Sequence, residues 1–251
     1  MFDPYGNALK QGKVEIVPAI LEKSFRAIEK KAALVKGVAL RVQIDVVDGV
    51  FAKTNGFFSR STWPYRDHAS FARVVNEEHG LPFWGEINYE FDLMIKDPAE
   101  RVMDYVHAGA SHIIVHARAE SAVLAVQKLV DLRGDTGAFE VKAGVALMAD
   151  AQPEELEKFE AQFDYVQVMG ISKIGRQGQP LDERAVHLIE RLHDRYPQLH
   201  VQVDGGVNKD TAARFAKAGA SSLVAGSAVF GAKDTIAAYK DLESAANATI
   251  Q

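Results

Sequence analysis

Apolar residues follow two rhythms along this chain, and the two take turns. Short stretches where Val, Ile and Leu alternate with polar residues, or run together, read as strands. They fall at 14–21, 38–46, 86–95, 112–116, 140–148, 165–169, 200–204 and 222–226. Between them, apolar residues at three- and four-residue spacing predict helices over 24–36, 67–79, 97–107, 120–133, 153–162, 182–196, 209–217 and 233–246. Start and stop signals agree with these bounds. Asp97-Pro98 supplies an N-cap followed by proline at the first helical position, Asn208 can cap the helix after it, and Gly37 and Gly80 suit helix ends.

Eight strand-then-helix units in unbroken alternation point to parallel strands. Eight such units in 251 residues is the size of an α/β fold of the (β/α)8 TIM barrel type. An open doubly wound sheet is the lesser reading, because no Gly-x-Gly-x-x-Gly follows the first strand. Ala108-Gly-Ala-Ser111 precedes the fourth strand and Ala218-Gly-Ala-Ser221 the eighth, four units apart. Either an internal duplication or two similar turns produces that echo, and both fit a barrel. One domain over residues 1–251 is expected, with residues 1–13 as an N-terminal extension.

Composition narrows the function classes. A hydrophobic fraction of 47% and a charged fraction of 25% are ordinary for a soluble globular protein. The absence of cysteine excludes disulfides, a thiolate nucleophile and cysteine metal sites. The start, Met1-Phe-Asp-Pro-Tyr-Gly6, has neither the basic flank nor the apolar run of a signal peptide. No apolar stretch approaches the roughly 20 residues that span a bilayer, so a cytoplasmic protein without membrane partners is expected. A net charge of −5 argues against a nucleic-acid partner. It leaves room for a small anion, which backbone amides at helix starts can hold. A homo-oligomer is compatible with the sequence.

In such barrels the carboxyl ends of the strands face the active site. The candidates there are Gln43 and Asp45, Asp92 and Met94, His116, Met169, and Asp204. Gln43 and Asp45, two apart, share one strand face. Strands two and seven are separated by strands one and eight when the ring closes, so Asp45 and Asp204 are expected to look at each other across the pocket. Two opposed carboxylates suit chemistry that removes a proton from one face of a carbon and returns one to the other. Asp48, by contrast, reads as a turn cap. An anion's seat is expected from Gly175-Arg-Gln-Gly178-Gln179, Gly205-Gly206 and Ala225-Gly-Ser227, after strands six, seven and eight. Arg176 either adds charge there or is an ordinary exposed loop residue. His116 reads as a hydrogen-bonded lumen histidine rather than a substrate contact. Phe57, Phe58, Trp63 and Tyr65 form a lid or pack the long second loop, and His107, His112, His187 and His193 sit in helices or at turns without metal-ligand spacing.

Several of these stretches are familiar. Ile44-Asp-Val-Val-Asp-Gly-Val-Phe51, Asp92-Leu-Met-Ile95, Gly144-Val-Ala-Leu147, Val168-Met169 with Gly178-Gln179, Val203-Asp-Gly-Gly-Val207 and Val224-Ala-Gly-Ser-Ala-Val-Phe230 resemble the ribulose-phosphate 3-epimerase family, over about residues 16–231. The resemblance implies a ribulose-phosphate-binding barrel with Asp45 and Asp204 as the acid/base pair. It implies Gly206, Gly226 and Ser227, with the Gly178 loop, as phosphate contacts beside Gly205, and Met94 and Met169 as apolar cover over the reacting carbon. The chain departs from the family where metal-ligating histidines are expected, at Gln43 and Asp92, and also at Ala19, Met148 and Ser172-Lys-Ile-Gly175. Oxygen donors Gln43, Asp45, Asp92 and Asp204 suit Mg2+ or Mn2+ better than Zn2+ or Fe2+, or no ion at all. Three converging carboxylates repel and raise at least one pKa, which favours a cation. The expected function is epimerisation of a small phosphorylated sugar, ribulose 5-phosphate to xylulose 5-phosphate or a related ketose, through an enediolate. The alternative is a sugar-phosphate-binding sensor or partner protein. A decarboxylase or aldol-type relative ranks last, because Asp45-Val-Val-Asp48 lacks the lysine of an Asp-x-Lys-x-x-Asp array.

Overall fold

The computed structural model describes residues 13–52, 61–134, 141–175 and 177–248. Eight parallel strands close into a barrel in chain order: β1 (Glu15–Ile20), β2 (Arg41–Val47), β3 (Asn88–Met94), β4 (Ala110–His116), β5 (Lys142–Leu147), β6 (Tyr165–Met169), β7 (His200–Asp204) and β8 (Ser222–Ala225). β8 pairs back onto β1, Glu15 opposite Ser222. The expected (β/α)8 barrel is the fold observed. The helices are α1 (Phe25–Val35), α2 (His68–Val75), α3 (Val102–His107), α4 (Ala122–Asp131), α5 (Arg184–Arg195), α6 (Lys209–Ala218), α7 (Ser227–Phe230) and α8 (Thr235–Asn247).

Strand alternation sorts the side chains. In β2, Val42, Ile44 and Val46 join the apolar core between strands and helices, whereas Arg41 and Gln43 bond across the lumen to residues of other strands. The same period of two places Phe91 and Leu93 outward and Glu90 and Asp92 inward on β3, and Val201 and Val203 outward and Gln202 inward on β7. β2, β3 and β7 therefore turn polar side chains into the lumen, beside small apolar clusters from the other strands, while the surrounding shell is apolar.

Helix ends follow local chemistry. Ser24 caps α1 by accepting from the Ala27 N–H, and Asn208 with Thr211 forms a reciprocal capping box on α6. Three helices are shorter or tighter than the periodicity predicts. The segment Pro153–Phe159 is a 3-10 helix, ended by Glu160 and Ala161 at φ 49° and 57°. Residues 97–107 divide into a 3-10 turn, Pro98–Glu100, and α3, and α2 stops at Val75, just before Glu77 at φ 61°. The two echoed glycines, Gly109 and Gly219, both take left-handed φ and lead into β4 and β8.

The aromatic residues of the second loop divide. Trp63 is fully buried, with its ring near those of Phe25, Phe71 and Phe91 and its Nε1 donating to Ser70 Oγ at 2.7 Å. It belongs to the core and not to a lid; truncating it to alanine costs about 3–5 kcal/mol. Tyr65 packs half-buried against the same core. Phe57, Phe58, Arg176 and the N-terminal extension through residue 12 lie outside the described residues. His112 is on β4 and half-buried, not at a turn, with desolvation of its ring holding its pKa well below the usual imidazole value.

Candidate active site

The carboxyl ends of the strands surround a pocket that is partly open to solvent. Its lining includes Asp45, Asp204, Met94 and Met169 together with Gly178, Gly205, Gly206, Gly226 and Ser227. All seven residues expected to touch substrate or phosphate thus face one cavity, beside both expected acid/base residues.

Register explains the convergence. Asp45 stands opposite Asp92 on adjacent strands β2 and β3, and Asp204 stands opposite Met169 on β6 and β7. Between β2 and β7 the ring carries only small lumen side chains near the mouth, Ala19 on β1 and Val224 on β8. The gap closes enough that carboxylate oxygens of Asp45, Asp92 and Asp204 lie within 4.8 Å of one another. The Gln43 Nε2 bridges the pair, donating to Asp45 Oδ1 at 2.8 Å and Asp204 Oδ2 at 3.4 Å. Asp92 Oδ1 is 2.9 Å from His116 Nε2, and its Oδ2 accepts from Gln167 Nε2 at 3.1 Å.

The electrostatics follow from burial and like charge. Burial, then the Asp92 charge, pushes the Asp45 carboxyl up to about 7, against the opposing pull of the Gln43 hydrogen bond and Lys31. Asp204 is also raised well above the carboxylate range, by burial and then by Asp45 and Asp92. Among the described residues, no Lys or Arg forms an ion pair with any of the three. Two opposed carboxyls that resist sharing the ionised state are suited to hold one proton between them, which is what an acid/base pair requires.

The backbone at the ends of β6 and β7 is unusually close. A Cβ on Gly170 would collide with the Gly205 carbonyl oxygen, so only glycine permits this approach. Gly206 sits at φ 71°, and α6 follows with its capping box. Gly226 precedes the single turn of α7. The turns after β7 and β8 thereby bring backbone to the pocket wall.

Other expected residues have structural roles. Asp48 caps the β2 turn, its Oδ1 accepting from Val50 and Phe51 N–H at 2.7 and 2.9 Å and its Oδ2 from Lys96 at 2.7 Å. His116 is buried, as read from the sequence, and is held by Asp92. Gln43, expected as an oxygen donor, turns its nitrogen to the carboxylates and its Oε1 toward Gln202. Sequence reasoning missed Gln177, which lines the pocket, donates to the Ala19 carbonyl at 3.3 Å and lies so close over Gly226 that a Cβ there would collide with its amide. It also missed Gln167 and Gln202, although each is flanked by valines in a strand that sends every second residue inward.

A closed barrel with acids and glycine turns at its carboxyl mouth defines the class, and solved structures of low identity share the fold. A 3-hexulose-6-phosphate synthase superposes with TM-score 0.62 at 20% identity, covering 92% of this chain and 99% of its own. KGPDC from Streptococcus mutans gives 0.66 at 13% identity, covering 94% and 98%. The model of the ribulose-phosphate 3 epimerase family matches residues 72–230. Ribulose-phosphate 3-epimerase of Eremothecium gossypii is 30% identical over 230 residues, 90% of this chain and 91% of that protein. The Bacillus subtilis ribulose-phosphate 3-epimerase is 30% identical over 235 residues, 91% and 98%. The chain belongs to the ribulose-phosphate 3-epimerase family and is an epimerase-like enzyme. The matched residues contain Asp92 and Asp204 but begin beyond β1 and β2, which carry Ala19, Gln43 and Asp45.

Proposed function

We propose that this enzyme epimerises a phosphorylated ketose at the carbon next to its carbonyl, with ribulose 5-phosphate and xylulose 5-phosphate as the first pair to test. The observation that carries this is the convergence of Asp45 and Asp204 at one pocket whose wall is built of Gly178, Gly205, Gly206, Gly226 and Ser227. One carboxylate removes the C3 proton from its side of the sugar, leaving an enediolate, and the other, protonated, delivers a proton to the opposite side. The enzyme ends with its proton moved between the two acids, ready for the reverse direction. Met94 and Met169 cover the reacting carbon with apolar surface and limit access of water to it. Backbone N–H groups of the glycine turns hold the phosphate, which fixes C3 between the acids.

The donor set also suits a hard divalent cation. Three carboxylates lie within 4.8 Å, two with raised pKa and, among the described residues, none paired with Lys or Arg. Such an ion relieves the repulsion of that cluster. Asp45, Asp92 and Asp204 would hold Mg2+ or Mn2+ in preference to Zn2+ or Fe2+, with Gln43 contributing an N–H to the carboxylates and not an oxygen. When bound, the cation supplies positive charge against the negative charge developing on the substrate oxygens.

The test is solvent deuterium incorporation at C3 across a panel of pentulose and hexulose phosphates, with and without Mg2+ or Mn2+. Exchange that depends on Asp45 and Asp204 is expected. Tight binding of a sugar phosphate without exchange would overturn the reading.

A further inference from the structure

Beneath the carboxylates lies a second polar layer whose hydrogen bonds run in one direction. Arg41 has donors and no acceptor. Its Nη1 binds Glu90 Oε2 at 3.0 Å, and its Nη2 binds Glu15 Oε2 at 2.7 Å and Gln202 Oε1 at 3.1 Å. Ser222 Oγ donates to the same Gln202 oxygen at 3.0 Å. Gln202 therefore turns its Nε2 the other way, toward Glu90 Oε1 at 2.7 Å, Gln167 Oε1 at 2.8 Å and Gln43 Oε1 at 3.4 Å. Those two amides in turn point their nitrogens at the mouth, Gln167 to Asp92 and Gln43 to Asp45 and Asp204.

The two ends of an amide are nearly equal in shape, so a glutamine alone fits a site either way round. Here one direction satisfies every partner. Reversing Gln202 would aim its NH2 at a guanidinium and its carbonyl at Glu90. Reversing Gln167 would set its carbonyl oxygen against Asp92 and its NH2 against that of Gln202, and reversing Gln43 would likewise set two NH2 groups face to face. All three glutamines are fully buried, where such mismatches are costly. We infer that Arg41 is a positioning residue for the reactive acids: through Gln202 it sets the direction of Gln43 and Gln167, so that N–H groups meet Asp45, Asp92 and Asp204. The same orientation keeps the Gln43 oxygen away from a bound cation. Arg41 and Gln202 do this without lining the pocket.

Gln202→Met removes the bridging amide with little change in volume and leaves Arg41 on Glu15 and Glu90. Nitrogen-15 NMR of the Gln43 and Gln167 side-chain amides, assigned with Gln43→Met and Gln167→Met, reads the orientation directly. One pair of resonances for each is expected in the parent, and displaced or doubled pairs in Gln202→Met. Arg41→Lys, which keeps a donor, is expected to retain the parent pattern, and Arg41→Met to lose it. The kinetic arm rests on the proposed epimerisation: kcat falls roughly tenfold in Gln202→Met while KM stays within about twofold. Unmoved Gln43 and Gln167 resonances in folded Gln202→Met would overturn the inference, as would a loss carried by KM. A parent enzyme that exchanges no proton on any sugar phosphate defeats the epimerase reading instead, and the NMR arm still decides the role of Arg41.

Discussion

The barrel buries charge at both ends of its lumen, and the two ends treat it differently. At the floor, Arg41 sits between Glu15 and Glu90, and Tyr165 and Gln202 add donors to Glu90. Burial works against the Arg41 charge, but Glu15 and Glu90 outweigh it and leave the guanidinium pKa above its ordinary value. Burial raises Glu90, and Arg41 then pulls it back. At the mouth, three carboxylates meet with a shared amide and an imidazole but no guanidinium or ammonium paired with them among the described residues. Compensated charge can be sealed into a fold, whereas uncompensated charge needs a proton or a ligand. The mouth is also where the pocket opens.

The largest effect separates the two ends by function. Asp45→Asn and Asp204→Asn are each expected to lower C3 proton exchange by about 10²–10⁴-fold, read by deuterium incorporation, while folding normally. At the floor the larger effect is on stability. Arg41→Met leaves the buried Glu90 and the half-buried Glu15 without their cation and is expected to lower stability by about 3–5 kcal/mol in urea unfolding. An Arg41→Met protein as stable as the parent would erase the distinction.

The next comparison is against pH. Asp45 titrates near 3.8 when unfolded and about 7 in the fold, so its protonation favours the folded state. Its contribution is full below 3.8 and is lost as pH rises through about 7. The thermal midpoint is expected to fall across that window, and Asp45→Asn is expected to fall less and to exceed the parent at the alkaline end. A cation should cancel the same repulsion: at a hundredfold excess over its Kd, Mg2+ or Mn2+ is expected to add about 2.7 kcal/mol, and Asp92→Asn to abolish the gain in calorimetry. The smallest effect is at the rim. Gln177→Ala frees the space over Gly226, and KM for the sugar phosphate is expected to fall by less than about tenfold, the scale of one hydrogen bond.

Much of this was legible in the chain. The alternation of eight strand and helix signals is local, so it predicted the barrel. Chain order then set β1 and β8 between Asp45 and Asp204. The glycine turns after β6, β7 and β8 and the N-cap at Asn208 were equally readable, because turn and capping chemistry depends on neighbours. Where local signals compete, periodicity alone does not decide the element. The periodicity over 153–162 favours a helix, but the segment forms a 3-10 turn that ends at left-handed Glu160. The sequence leaves Trp63 open between lid and core, and the fold sets its ring among Phe25, Phe71 and Phe91.

By itself, then, the sequence determined which residues face the lumen and which strand ends carry acids, since both follow from a period of two and from order along the chain. Only the tertiary structure decided that Gln177 reaches the Ala19 carbonyl and that Gln43 presents nitrogen and not oxygen to the carboxylates. Those outcomes depend on distances across a closed ring and on a hydrogen-bond direction set by Arg41 from strands far apart in the chain. No local pattern encodes the sense of an amide, because its two ends differ only in what they meet.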